Sequence, residues 1–315
     1  MKQFTKICLI ISLVCLSIGA VCLGAGVAFG SGLREVWAMA GNGELNVGPL
    51  HIGGWHTPYF MESDDLEYVK PESGTIQKHF PADNVKNLKI DMNYGTVCLT
   101  DSETDQIEIA VDAPGSNSYK CDCENDTLML VDSTRGWTFW KNGFGRKEVT
   151  VEIAIPKGKQ FDEVLLATDA GRIEISHFLT TEDLDVELGA GELTAGKITA
   201  ADVISADVGA GNLEIEEFTA ETLDIDCGFG RAQLRGSVLE DADVDAGMGE
   251  IELWLAGRED DFDYDITCGL GAVNINGAVY STLSADKKID NHTGREISLD
   301  CGVGEIELNN FSESQ

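Results

Sequence analysis

A short phrase, Gly-x-Gly followed by a run of alternating polar and apolar residues, recurs through the second half of this chain and constrains its folding more than any other feature. It reads Gly189-Ala-Gly191-Glu-Leu, Gly209-Ala-Gly211-Asn-Leu-Glu-Ile and Gly228-Phe-Gly230-Arg-Ala-Gln-Leu. It returns as Gly247-Met-Gly249-Glu-Ile-Glu-Leu, Gly269-Leu-Gly271-Ala-Val-Asn-Ile and Gly302-Val-Gly304-Glu-Ile-Glu-Leu, with a degenerate first copy at Asp169-Ala-Gly171-Arg-Ile-Glu-Ile. The second glycines stand 20, 20, 19, 19, 22 and 33 residues apart. A period held near twenty is the mark of a stacked repeat in which each unit buries its apolar face only against its neighbours.

The residues around each phrase carry a strict parity. Counting back from the first glycine, positions −1, −3 and −5 are apolar, as in Leu188, Val186 and Leu184, or Cys227, Ile225 and Leu223. Positions −2 and −4 are polar and mostly acidic, as in Asp226 and Asp224, or Asp245 and Asp243. After the second glycine the alternation continues through Leu213 and Ile215, or Ile251 and Leu253. Period-two alternation on both sides of a tight turn describes two half-buried strands meeting at a corner. Glycine at both corner positions is expected to allow positive φ and close approach of the next coil. The expected fold is therefore all-β, a β-solenoid of coils of about 20 residues, spaced about 4.8 Å apart around a continuous apolar interior.

Upstream, residues 85–92, 96–100, 106–111, 127–131 and 148–155 also alternate, without the fixed period, and Asn93-Tyr-Gly95-Thr-Val-Cys-Leu reads as an outlying copy of the phrase. At the N-terminus, Lys2 and Lys6 precede residues 7–29, a run of 23 without a charge. At 1.5 Å per residue this run spans about 35 Å, enough for the hydrocarbon core of a bilayer. A cleaved signal has a shorter apolar core; Ala38-Met-Ala40 has the form of a cleavage site, but the length favours an uncleaved anchor. The expected organisation is a cytoplasmic N-terminus and transmembrane helix (1–34), a juxtamembrane stalk (35–80), an N-terminal β region (81–167), the solenoid (168–310) and a short tail (311–315). Basic residues ahead of the span and an acidic chain behind it place the large C-terminal part outside the cell membrane.

The chain carries 22 Lys and Arg against 55 Asp and Glu, a net charge of −33. Three of the basic residues precede position 35, so the remainder holds 19 against all 55 acids. Such a balance excludes phosphate-backbone binding, which needs a positive face, while an apolar share of 43% excludes a disordered acidic tail. The order of membrane span, β region with Asn93-Tyr-Gly-Thr-Val, a strand ending in Ile155-Pro156 and then Gly-x-Gly coils resembles the bacterial putative-adhesin family, a domain of unknown function found in envelope proteins. The resemblance covers about residues 81–310. It implies a membrane-anchored, extracytoplasmic β-solenoid acting as an adhesin-like or scaffolding module, with an accessory role in envelope-stress signalling as the alternative. It brings no functional residues with it.

Two surface features stand out. Stacked carboxylates at positions −2 and −4, notably Asp224, Asp226, Asp243 and Asp245, repel by about 0.9 kcal/mol per pair at one coil spacing in water. Ca²⁺ would relieve that, but the plainer reading is a solvated acidic surface that keeps the sheet soluble. No cofactor is expected. The second feature is the stretch Arg135, Trp137, Phe139, Trp140, Lys141, Phe144, Arg146 and Lys147, four basic and four aromatic residues in 13 positions with no acid. It suits contact with an envelope protein, a membrane interface or a surface or cell-wall glycan, or else a cap over the end of the solenoid.

No catalytic motif is present: Gly-x-Gly opens strands and not helices, so it is no dinucleotide fingerprint, and a Gly-x-Ser-x-Gly elbow is missing. The chain therefore reads as a non-enzyme. A polysaccharide-processing enzyme is the distant rival, and the 33-residue interval with Lys287, Lys288, Asp290, His292 and Arg295 is where its chemistry would sit. The five scattered histidines have no metal-ligand spacing. The cysteines outside the membrane run read as small buried apolar residues, with a Cys268–Cys301 bridge as the alternative.

Overall fold

The structure, a computed structural model, describes residues 46–47, 50–51, 74–113, 119–132, 149–280 and 285–312. The chain divides into two units, 1–67 and 68–315. In the first, β1 (Asn46–Val47) and β2 (Leu50–His51) form an antiparallel pair. The expected membrane run at 7–29 lies outside the described residues, among which no helix is long and apolar enough to cross a membrane.

The second unit is built of strands. Its first part holds β3 (Gly74–Pro81), β4 (Asn87–Met92), β5 (Thr96–Ser102), β6 (Gln106–Ala113), β7 (Tyr119–Glu124), β8 (Thr127–Asp132) and β9 (Thr150–Pro156). The periodic part begins with β10 (Gln160–Thr168), β11 (Arg172–Ile175), β12 (Leu179–Leu188), β13 (Glu192–Ala200), β14 (Val203–Val208) and β15 (Asn212–Ala220). It continues through β16 (Thr222–Cys227), β17 (Arg231–Val238), β18 (Ala242–Ala246), β19 (Glu250–Ala256) and β20 (Asp263–Cys268). The last strands are β21 (Ala272–Ile275), β22 (Ala278–Tyr280), β23 (Ala285–Ile289), β24 (Glu296–Cys301) and β25 (Glu305–Phe311).

Each Gly-x-Gly phrase lies at a corner between two such strands, and each strand pairs in parallel register with its counterpart in the next coil. One ladder runs β8–β4–β10–β12–β14–β16–β18–β24–β20. The other runs β9–β5–β11–β13–β15–β17–β19–β25–β21. Nine coils are thus stacked among the described residues, a β-solenoid as the repeat implies. The interior is filled by the apolar parity positions: Leu184, Ile204, Leu223, Ala242, Ile297 and Tyr264 form one fully buried column through six coils. Polar positions −2 and −4 point outward along the whole ladder, as period two requires.

Order in sequence and order in the stack part company at both ends. β4 and β5 come before β8 and β9 in the chain but lie one layer further in. β24 and β25 come last but are inserted between β18–β19 and β20–β21. The long interval between Gly271 and Gly304 is explained by what it contains. β22 and β23 run antiparallel to β21 and β20, close the outer edge, and return the chain to the inner layer. The opposite end is closed in the same manner by β7 against β8 and by β6 and β3 beyond β9. Antiparallel edge strands end a parallel stack that would otherwise offer open ladders to other chains.

The corner glycines correct one expectation. None of the twelve glycines in the six full copies has positive φ; among the described residues the positive-φ glycines are Gly95, Gly158, Gly257, Gly277 and Gly294. What the corners need is space. A Cβ on Gly211 would lie 2.4 Å from the carbonyl oxygen of Gly191, and one on Gly304 would lie 2.1 Å from that of Gly249. Left-handed backbone is instead used in the edge hairpins, at Asn125 and Asp126 between β7 and β8, and at Asn276 and Gly277 between β21 and β22. Two-residue hairpin turns demand that conformation; corners between stacked coils do not.

Candidate functional site

The corner edge of the solenoid is a regularly ordered surface. Along it, the middle residue of each phrase donates its amide to the coil below: Ala210 N–H to Gly189 O at 2.6 Å, and Phe229 N–H to Gly209 O, Met248 N–H to Gly228 O, Val303 N–H to Gly247 O and Leu270 N–H to Gly302 O, each at 2.7 Å. This backbone ladder fixes the middle side chains in a straight row pointing to solvent. The row changes character halfway. Around Ala170, Ala190 and Ala210 the small side chains leave a shallow groove of about 750 Å³, reaching Tyr94 at one end and walled by Arg172, Glu174 and Glu192. Arg172 and Glu192 close on each other at 2.8 Å. Beyond Ala210 the row becomes a ridge: Phe229 is 68% exposed, Met248 41%, Val303 49% and Leu270 70%.

The acidic residues flank this row. Glu187, Asp207, Asp226, Asp245 and Asp300 occupy one in-register column. The neighbouring column reads Asp185, Ser205, Asp224, Asp243, Ser298 and Asp265. The suggested ladder Asp224, Asp226, Asp243 and Asp245 is therefore a two-by-two patch on β16 and β18. Asp265, which the sequence places next after Asp243, is separated from it by Ser298 and lies 3.5 Å from the Lys288 ammonium. The packed patch raises its own carboxyl pKa values. Burial in the stacked strands, then the charges of Asp243, Asp300, Asp226 and Asp224, push Asp245 up to about 7. Burial, reinforced by Asp243 and Asp226, also raises Asp224. At the other end, burial together with Asp169 and Glu187 pushes Asp91 up to about 6. Among the described residues no three His, Cys, Asp or Glu side chains are grouped as a metal site.

The other sequence candidates fall in different places. The stretch Arg135, Trp137, Phe139, Trp140, Lys141, Arg146 and Lys147 lies outside the described residues. The chain leaves for it at Asp132, the end of β8, and returns at Val149, just before β9, so it stems from the corner position of the outermost coil. The polar residues of the 33-residue interval do not converge. Lys288 contacts Asp265 and Glu296, at 3.5 and 3.2 Å. The Lys287 ammonium sits 4.3 Å from the Tyr280 ring centre, Asp290 holds His292, and the Arg295 guanidinium lies 4.3 Å over Phe262. These contacts tie β23 and the following turn to the last coil.

Cys268 and Cys301 are buried, free thiols in register on adjacent strands; burial pushes Cys301 up to about 11. A constellation that the sequence does not reveal is His177, fully buried, whose Nδ1–H donates to Asp101 at 2.6 Å across 76 residues. The ridge was legible as the x of Gly-x-Gly, but its continuity depends on Val303 lying between Met248 and Leu270.

Comparison with known proteins gives a family and a set of distant structures. The family model described as Toastrack DUF4097 matches residues 85–278. Comparison with curated proteins gives no match. Among solved structures, a putative cell adhesion protein from Clostridium sporogenes is 16% identical, with 77% of this chain and 100% of that one covered and a TM-score of 0.31. A putative adhesin from Bacteroides fragilis is 14% identical, with 77% and 100% covered and a TM-score of 0.37. A putative lipid binding protein from Parabacteroides distasonis is 12% identical, with 76% and 98% covered and a TM-score of 0.31. Identities and TM-scores this low neither extend nor limit the reading of this chain.

Proposed function

We propose a function from one premise: this chain belongs to the Toastrack DUF4097 family, with the family's match covering residues 85–278. The protein is a membrane-anchored, non-enzymatic binding scaffold whose solenoid stands on the extracytoplasmic side of the cell envelope. The observation that carries this reading is the corner edge, a backbone-laddered row that presents exposed apolar side chains beside a carboxylate column. Exposed apolar surface held in a regular frame is the signature of an interaction face. A processing enzyme would instead bring a nucleophile or an acid–base pair together in a cleft, whereas in the 33-residue interval Asp290 and His292 meet on an exposed turn while Lys288 is held by Asp265 and Glu296 and Arg295 lies over Phe262.

The anchor is supported by the charge-free run at 7–29 behind Lys2 and Lys6. The partner is an envelope protein or a surface glycan. Crosslinking in intact cells, followed by purification of the full-length protein from membranes, tests both parts. Recovery in the membrane fraction with a stoichiometric envelope protein or wall polymer is the expected result, and a membrane-protein partner would mark a signalling accessory. Recovery in the soluble cytoplasmic fraction would overturn the reading.

A further inference from the structure

Where Met248 and Val303 stand, the apolar ridge is flanked by acid on both sides; at Phe229 it has Asp226 before it and Arg231 after it. Met248 and Val303 lie on adjacent coils, with Asp245 and Asp300 three residues before them and Glu250 and Glu305 two residues after. All four carboxylate residues are exposed. Glu250 already lies 3.3 Å from Arg231, so the anionic margin rests mainly on the Val303 side. Such a surface fits an occupant that is apolar at its centre and basic at its margins, because carboxylates there then meet cations while the thioether and valine side chains meet rings. One segment of this chain has that composition: residues 135–147, with four bases, four aromatics and no acid in a chain of net −33.

The place where that segment leaves the solenoid decides which copy supplies it. Residues 133–148 stem from the outermost coil, and the stack order puts Met248 six coils away and Val303 seven. At one strand spacing per coil those are about 29 and 34 Å. A 16-residue excursion that must go out and come back reaches at most eight residues, about 26–29 Å when fully stretched. Its main chain at full stretch would only just come level with Met248 of its own chain and would stop about 5 Å short of Val303.

We propose that the Met248–Val303 stretch of the ridge is a self-association surface that receives residues 135–147 of a second copy. The donor segment stands at one end of the corner edge and the acceptor ridge toward the other end of the same edge. Two copies set side by side and antiparallel therefore exchange the contact twice, giving a closed two-fold pair in which each supplies a loop and each offers a ridge. Charge favours this arrangement, since each basic segment lies over the carboxylates of its partner, and added salt weakens it. The inference does not depend on the identity of any envelope partner or on the membrane anchor.

The test uses the full-length chain in detergent, co-expressed with two different tags and carrying a photocrosslinking residue at position 248. Crosslinks from 248 to residues 135–147 of the differently tagged copy are expected. Lys141→Glu with Lys147→Glu should lower recovery of the second tag at least tenfold, and adding Glu305→Lys should restore it in part. Met248→Ser with Val303→Ser should have the same effect with the melting temperature retained, because both side chains are exposed. Crosslinks confined to one chain, crosslinks only to a different protein, or recovery indifferent to charge reversal would each overturn the proposal. A different protein crosslinked at 248 would do so while leaving the scaffold reading intact.

Discussion

The inner coils and the two ends of this solenoid use the same residue types for different purposes. In the inner coils glycine makes room: the corners follow one another so closely that the carbonyl of one coil occupies the place where a Cβ of the next would stand. At the ends, where antiparallel strands close the edges, Asn125, Asp126, Asn276 and Gly277 supply left-handed backbone for two-residue turns. The inner coils keep chain order and stack order identical, whereas both ends exchange two layers. A repeat therefore specifies how one unit sits on the next. It does not specify which unit that is once a loop is long enough to turn back.

Substitution at the corners tests the spatial role most strongly. Gly304→Ala places a Cβ 2.1 Å from a backbone carbonyl, and Gly211→Ala one at 2.4 Å. Each should cost about 2–4 kcal/mol by overpacking and lower the melting temperature clearly by circular dichroism. Gly247→Ala, with its nearest contact at 3.2 Å, should cost about 1 kcal/mol or less; equal costs at the three sites would refute the spatial argument. Leu299→Ala probes the inserted coil. This fully buried side chain should be worth about 2–5 kcal/mol, as much as an inner residue such as Ile225, if the exchanged layer is as well packed as the rest. A markedly smaller loss would mean that the inserted coil is loosely seated.

The end coil also contains Tyr264, buried with a hydroxyl that has no hydrogen-bond partner. Tyr264→Phe is expected to be neutral or stabilising by up to about 1 kcal/mol, in contrast to large losses from truncating other interior residues; a clear loss would reveal a partner for the hydroxyl.

The smallest effect is that of pH. Asp245 is raised to about 7 and Asp91 to about 6 in the folded chain, above the ordinary value of about 4. Between those values the folded protein binds more protons than the unfolded one, so stability is highest at the acid end of the window and falls as pH rises through 7. Thermal melts between pH 5 and 8 should show this slope, and Asp245→Asn should flatten its upper part. A slope unchanged by Asp245→Asn would place the titration elsewhere in the columns. Since Asp245 is exposed by surface area, solvent screening keeps the effect modest.

Much of the fold was legible in single residues. Leu184, Val186 and Leu188 announce a strand with one buried face, and the glycines one and three places beyond Val208 and Cys227 announce a corner. The same reasoning located the carboxylate column through Asp226 and Asp245, because parity alone sends those side chains outward. It did not place Asp265, whose neighbour in the stack is Ser298 and not Asp243. Nor did it find the His177–Asp101 contact, which joins residues 76 apart through two coils that are adjacent in space. The candidate site was half legible: Phe229, Met248, Leu270 and Val303 are visible as the middle letters of the phrase, while the ridge they form is not.

What the sequence determined by itself is the coil, because strand parity and corner clearance are local and repeat with the chain. What the tertiary structure alone decided is the order of the end coils. Parallel stacking accepts any coil with matching parity, and only the closing strands β22 and β23, with β6 and β7 at the far end, select which coil is sandwiched and which is outermost. The juxtaposition of Met248 and Val303 follows from that selection: their acidic flanks are written in the sequence, but the two lie side by side only because the last coil of the chain returns against an earlier one.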